Sequence, residues 1–322
     1  MSAILRSPWA ALLTRRAVQV LALLLIIGSL CFFMVLALPG DMAMRIAASR
    51  YGYDLVGNAA ASAVSAELGL GQPLHTGWLA WLGDLLRLDL GASLVSGESV
   101  WQELGHHLGA SIDLAVTTVV LAMLMGLPLG IAAARRPGGI CDRLTLLFAV
   151  LLRATPAFLL GIVLMLVFAV HLGWLPAAHD AHGGGIWLPA LTLALGLGAG
   201  LARVTRSAVR EALASDAHEF ARTKGLSDSQ ALWLHALRLA VVPVLAYLGV
   251  HLVLLVEGTV VVESLFAWPG IGHALVHAVF ARDVPVIQGA ALCMGFLFII
   301  FNLMLDALLM WLDPRQRLGG QS

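Results

Sequence analysis

The residues with most chemical potential in this chain sit together between His218 and Pro243, in the stretch HEFARTKGLSDSQALWLHALRLAVVP. His218 and Glu219 begin an H-E-x-x-H pattern, in which two imidazoles one helical turn apart bind zinc and the glutamate acts as base. The fifth position is Arg222, which cannot ligate a metal, so no zinc site follows. Lys224 is the only lysine, and it stands between Thr223 and Gly225. A phosphate loop needs Gly-Lys followed by Ser or Thr, so any ATP used with this chain is hydrolysed by another. Gly196, Gly198 and Gly200 repeat as in a dinucleotide loop but lie inside an apolar run with no strand before them. They read as close contacts between helices.

A second set of candidates lies within apolar runs, where ionisable groups are costly and mark pathways by default. Arg153 is ten residues into its run, about 15 Å along a helix, and Pro156 just after it predicts a local bend. His251 and Glu257 are six residues apart, on different helix faces, so one shared ion is not expected. Two readings stand for Arg153, His251 and Glu257: internal pairing or snorkelling, and the lining of a polar path. His171, His179, His182 and Asp180 around one short loop, with His273 and His277 elsewhere, have ring nitrogens that suit nickel or zinc. Their lack of fixed spacing fits solvated side chains equally well. No metal site and no resident cofactor are expected, and Cys31, Cys141 and Cys293 are too dispersed for a disulfide framework.

These candidates need elements to hold them. With 322 residues, 60% hydrophobic and 12% charged, and a mean hydropathy of +0.91, the chain has more apolar surface than one soluble core can hide. An all-α polytopic membrane protein is expected. Six segments approach the roughly 20 apolar residues that cross a bilayer: 17–38, 114–134, 144–170, 186–202, 239–262 and 286–312. The first is too long for a signal-peptide core and reads as an uncleaved span. With a cytoplasmic N-terminus, 14 of the 19 Lys and Arg residues fall inside, as the positive-inside rule requires. The C-terminus is then cytoplasmic too, and basic residues spread along one membrane edge give no nucleic-acid surface.

The expected organisation is a cytoplasmic N-terminus and first span over 1–38, an extracytoplasmic segment over 39–113, a five-span core over 114–312 and a cytoplasmic tail over 313–322. In the second of these, Leu74, Trp78, Trp81, Leu82 and Leu85 recur at helical spacing, which predicts a helix lying at the membrane surface with indoles at headgroup level. The segment reads either as a packed cap or as a docking surface. Between spans four and five, over about 205–242, capping rules predict two short helices. Asp216 caps the first, with Glu219 at its third position, and Gly225 ends it; Ser227 then starts a second with Gln230 completing a capping box.

With these motifs in place, the chain resembles the integral-membrane permeases of ABC importers, the binding-protein-dependent transport components of the dipeptide, oligopeptide and nickel branch. The resemblance rests on LGLGQPL, WLGDLLRLDLGAS, RLTLLFAVLLRATPAFLLG, LPALTLALGLGAGLARVTRS, ARTKGLSDSQALWLHALRLAVVPV, VVVESLFAWPGIG and NLMLDALLMWLDPRQR, in that order. It implies the type I importer permease fold, in the bacterial inner membrane. It further implies a second, homologous permease, two cytoplasmic ATPases, an extracytoplasmic substrate-binding protein, and no catalytic site in this chain. The family's E-A-A-x-x-x-G signature marks coupling helices that dock on the ATPase. Glu219, Ala221 and Gly225 match it, Phe220 replaces the middle alanine, and Asp216, Leu226 and Ser227 complete the segment. His251 stands where nickel-type members can have histidine, whereas Arg153 favours a carboxylate-bearing cargo, so peptide and metal-chelate cargoes both stay open. The competing class is a stand-alone secondary transporter or channel driven through charges such as Arg153, Glu257 and Asp306. Such a protein has no need of the cytoplasmic segment.

Overall fold

The computed structural model describes residues 8–37, 74–179 and 185–312 continuously, with a few single positions in between. The described chain is helical: α1 Pro8–Ala37, α2 Leu74–Leu86, α3 Val100–Arg135, α4 Ile140–Ala154, α5 Ala157–Leu164, α6 Trp187–Leu213, α7 Asp216–Thr223, α8 Asp228–Ala231, α9 Leu237–Leu265, α10 Ile271–Ala281 and α11 Val284–Leu312. π-helical turns extend α5 through Met165–His171 and join α8 to α9 through Leu232–Ala236. Among the described residues five helical stretches are long and apolar enough to span a membrane, and the pair α4 and α5 adds a sixth if it crosses as one. The tail over 313–322, Asp180, His182, the LGLGQPL motif and the Glu257 side chain lie outside the described residues.

The chain divides into two compact units. One comprises Met1–Ser111 and Pro269–Ile299. Its core joins Leu24 of α1, Leu82 and Leu85 of α2, Leu104 of α3, Ile271 of α10 and Ile287 of α11. The α2 helix forms over the predicted residues, but its aromatic face is turned onto α1: Trp78 Nε1 donates to Ser29 Oγ at 3.2 Å, and the Trp81 ring meets Phe32 at 6.0 Å. A helix partner therefore takes the place expected for lipid headgroups. The loop after α2 is pinned by the buried Asp283 carboxylate, which accepts from the Ser93 hydroxyl and from the amides of Leu94 at 3.2 Å and Val95 at 3.3 Å.

The other unit comprises Ile112–Trp268 and Ile300–Ser322. Its axis is α6, which carries fourteen buried positions between Leu188 and Ala212. In lipid, packing and not hydrophobic transfer holds helices together, so close approach decides the arrangement. Gly126 and Gly130, one turn apart on α3, meet α6 so closely that a Cβ at Gly126 would lie 2.7 Å from the Gly198 carbonyl oxygen. Of the three glycines expected to make such contacts, Gly198 faces the Ala122 backbone and Gly200 faces Tyr247, while Gly196 has nothing within 4 Å.

The third predicted span differs most from expectation. Instead of a local bend, α4 and α5 meet at 106°. Thr155 is extended, at φ −92° and ψ 124°, because a residue before proline is pushed out of the helical region, and Pro156 has no N–H to continue the ladder.

Candidate functional site

The segment after α6 is built by short-range hydrogen bonds. At the end of α6, the Ser215 hydroxyl donates to Ala212 O at 2.6 Å and accepts from His218 N at 3.4 Å. Ser215, not Asp216, is thus the N-cap of α7; its extended backbone (φ −79°, ψ 150°) fits the cap. Asp216 and Glu219 lie in the first turn, where carboxylates meet the positive end of the helix dipole. A serine one residue earlier outcompetes Asp216 for the cap by closing both ends of the break at once.

At its other end α7 closes by a Schellman arrangement. Leu226 N donates to Ala221 O at 3.4 Å and Gly225 N to Arg222 O at 2.9 Å, with Gly225 at φ +88°. Ser227 then starts α8 with the complete capping box to Gln230. The second helix is not a separate short one, however. It continues through the π-helical turn into α9, so the segment is one short helix set between two long ones. Arg222 and Asp228 pair across the turn at 2.9 Å, both well exposed.

The faces of α7 are sharply divided. His218 and Ala221 are buried. Asp216, Glu219, Phe220 and Thr223 face outward, and Phe220 is 60% exposed with Lys224 Nζ 4.5 Å over its ring. The replacement of the signature's alanine by Phe220 therefore adds an aromatic group to the outer surface and leaves the packed side unchanged.

The membrane-level candidates are placed unevenly. Arg153 is exposed in the last turn of α4, beside the break, a position where a cation meets the negative end of a helix. His251 stacks on Tyr247, one turn earlier on α9, with ring centroids 3.8 Å apart. Its Nδ1 lies 3.0 Å from Tyr247 O. A carbonyl only accepts, so Nδ1 carries the proton and Nε2 presents a lone pair. The charge of Arg153 reaches both rings, and that of Arg203 reaches Tyr247. Arg153 and His251 thus lie within electrostatic reach of each other; Glu257 is on the same helix as His251.

Sequence reasoning missed Tyr247, Arg203, Ser207 and Glu211. A signal for the first was its four-residue spacing from His251. The others were legible as a run at i, i+4 and i+8 on α6. His179 makes an edge contact with Trp268 at 4.9 Å, and His273 with His277 at 4.4 Å. Among the described residues no three His, Cys, Asp or Glu side chains are placed to hold a metal ion.

Residues 126–318 match the family described as binding-protein-dependent transport system inner membrane component. The chain is 37% identical over 303 residues to the glutathione transport system permease protein GsiC of Salmonella paratyphi A, covering 94% of this chain and 97% of that protein. It is 37% identical over 315 residues to a putative peptide transport system permease protein of Brucella abortus, covering 95% and 99%. Among solved structures it is similar to an amino acid ABC transporter crystallised with histidines, at a TM-score of 0.51 and 18% identity, covering 66% of this chain and 94% of that one.

Proposed function

This chain belongs to the family of binding-protein-dependent transport system inner membrane components, and from that premise we propose that it forms half of the pathway for short peptides, moved by partner ATPases acting on α7. The protein is a multi-pass ABC importer permease with the type I fold and is not itself an enzyme. Family membership takes the place of the reading as a stand-alone secondary transporter.

The observation that carries the proposal is the continuity of α6, α7 and the α8–α9 helix. A partner that moves α7 acts at once on two long helices, because only Ala214 and Ser215 separate α6 from α7 and only the Gly225 turn separates α7 from α8. The outer face of α7, with Asp216, Glu219 and Phe220, is the docking surface; Ala221, Gly225, Leu226 and Ser227 hold its shape. ATP-driven closure of the partners then shifts the pathway between two states. The proposed assembly comprises a second homologous permease, two cytoplasmic ATPases and an extracytoplasmic binding protein. Both termini of this chain are cytoplasmic, on the asymmetry of its basic residues.

For cargo, the peptide and glutathione names of the relatives agree with the chemistry around His251. A lone imidazole within reach of the Arg153 charge is a poor place for a nickel ion and a good one for carboxylates and amides. Arg153 and His251, with Glu257 on the same helix as His251, are the proposed path residues.

Reconstitution of the complex with its binding protein in proteoliposomes tests this reading. ATP-dependent uptake of labelled tripeptide that requires all the partners is expected, with none for nickel ion. Uptake without ATPases or binding protein contradicts the proposal.

A further inference from the structure

A cavity of about 520 Å³ opens in the second unit between α4, α6 and α9, with Leu146, Arg203, Ser207, Glu211 and Pro243 in its wall. The volume is in the range of small-ligand pockets. Arg203, Ser207 and Glu211 follow one another at four-residue intervals, so they lie in one row on the same face of α6. The row reads cation, hydroxyl, carboxylate, and its ends are separated by about 12 Å along the helix.

Neither end of the row is neutralised. Arg203 and Glu211 have no ion-pair partner among the described residues, and each is exposed to the cavity side. The neighbouring Arg206, also in the wall, is by contrast fully engaged by Asp142 through both carboxylate oxygens. The free charges are therefore one positive and one negative, with a hydroxyl between them. Pro243 in the cavity wall lies one turn before Tyr247 on α9.

We propose that this row is a binding station for a zwitterionic peptide of two or three residues, its carboxylate on Arg203, its backbone polar groups on Ser207 and its terminal ammonium on Glu211. An extended tripeptide spans about 10 Å, which matches the row once the side chains lean inward. A bare cation is repelled at one end and a simple anion at the other, so the arrangement selects for a molecule that carries both charges. This inference rests on the peptide-importer reading above and deepens it.

The test uses the complete permease–ATPase complex in nanodiscs, without nucleotide or binding protein. Equilibrium dialysis measures binding of tritiated trialanine, of its N-acetyl derivative and of its C-terminal amide. Trialanine is expected to bind in the millimolar range, and each blocked derivative about fivefold more weakly, as a solvent-accessible ion pair contributes. Arg203→Gln is expected to erase the difference between acid and amide, and Glu211→Gln that between amine and acetyl. Arg203→Lys keeps the charge and is expected to keep the first difference, which guards against a variant that merely folds badly. No trialanine binding at about 10 mM, or equal binding of all three ligands to wild type, overturns the station. Binding-protein-stimulated ATP hydrolysis, read on the same nanodiscs after ATP and binding protein are added, separates the two ideas: if it is present while binding fails, only the station falls, and if wild type lacks it, the importer reading falls.

Discussion

Arg206 on α6 holds Asp142 on the first turn of α4 from two sides, its Nε on one carboxylate oxygen and its Nη2 on the other at 2.9 Å. Gly138 N donates to the same carboxylate at 2.8 Å, so the turn between α3 and α4 is fastened to the helix that leads into α7. The Arg206 and Asp142 side chains are 15% and 4% exposed. Breaking a buried pair from one side costs about 3–5 kcal/mol because a charge is left uncompensated. Asp142→Asn is expected to lower the unfolding temperature of the purified complex strongly. The double variant with Arg206→Gln is expected to lose clearly less than the sum of the two single changes. Additivity within about 0.5 kcal/mol contradicts the coupling.

Tyr247 fills the space beside Gly200. A Cβ at that glycine would overlap the phenolic oxygen, which is buried without a hydrogen-bond partner among the described residues. Gly200→Ala is expected to destabilise by about 1–3 kcal/mol through overpacking. Tyr247→Phe removes an unsatisfied hydroxyl and is expected to be near neutral alone; combined with Gly200→Ala it is expected to restore part of the loss, since the ring Cζ would still lie 2.8 Å from the new Cβ. Thermal unfolding of the three variants checks this; a double variant no better than Gly200→Ala alone contradicts the contact.

The helical character, the membrane runs and the capping chemistry of residues 215–230 were legible because each depends on neighbours in sequence. Gly225 and the Ser227–Gln230 box could be read from spacing alone. The N-cap could not, since Ser215 and Asp216 are both good caps and the choice depends on the Ala212 carbonyl at the end of α6. The 106° break at Thr155–Pro156 exceeded what a proline alone predicts. Pairings across the fold, such as Gly126 with Gly198, Arg206 with Asp142 and Trp78 with Ser29, have no local signature. Tyr247 and Glu211 differ from these: each carries a local spacing, to His251 and to Arg203 and Ser207, but half-polar groups in a row draw less notice than a lone Arg153 or His251 in an apolar run.

His273 lies on α10, which at 11 residues is too short to cross a bilayer. Burial holds its pKa below the usual value, and His277 and His107 add to the depression. Charging is thus disfavoured in the folded state, so the folded protein keeps this contribution above about pH 6.5 and loses it as pH falls through the lower folded value. Unfolding temperature is expected to fall between pH 7 and pH 5, and His273→Gln to flatten that slope. An unchanged slope contradicts the assignment.

Arg153 is exposed at the α4 break, where little packing depends on it. Arg153→Ala is expected to leave recovery of the complex unchanged while altering which peptides drive uptake, most for those with additional carboxylates. Identical uptake of acidic, neutral and basic tripeptides relative to wild type would sink its place in the path.

On the outer face of α7, proposed above to dock on the ATPase, Phe220, 60% exposed, is the most prominent group. Cys31 and Cys293 are buried and Cys141 is exposed, so Phe220→Cys on a Cys141→Ser background offers one accessible thiol. Treating the assembled complex with a short bifunctional cross-linker, on partner ATPases carrying engineered surface cysteines, reads the contact directly. A permease–ATPase adduct from residue 220 that changes in yield when ATP is bound is expected. An adduct absent from residue 220 in a complex that still hydrolyses ATP in response to its binding protein would contradict that docking.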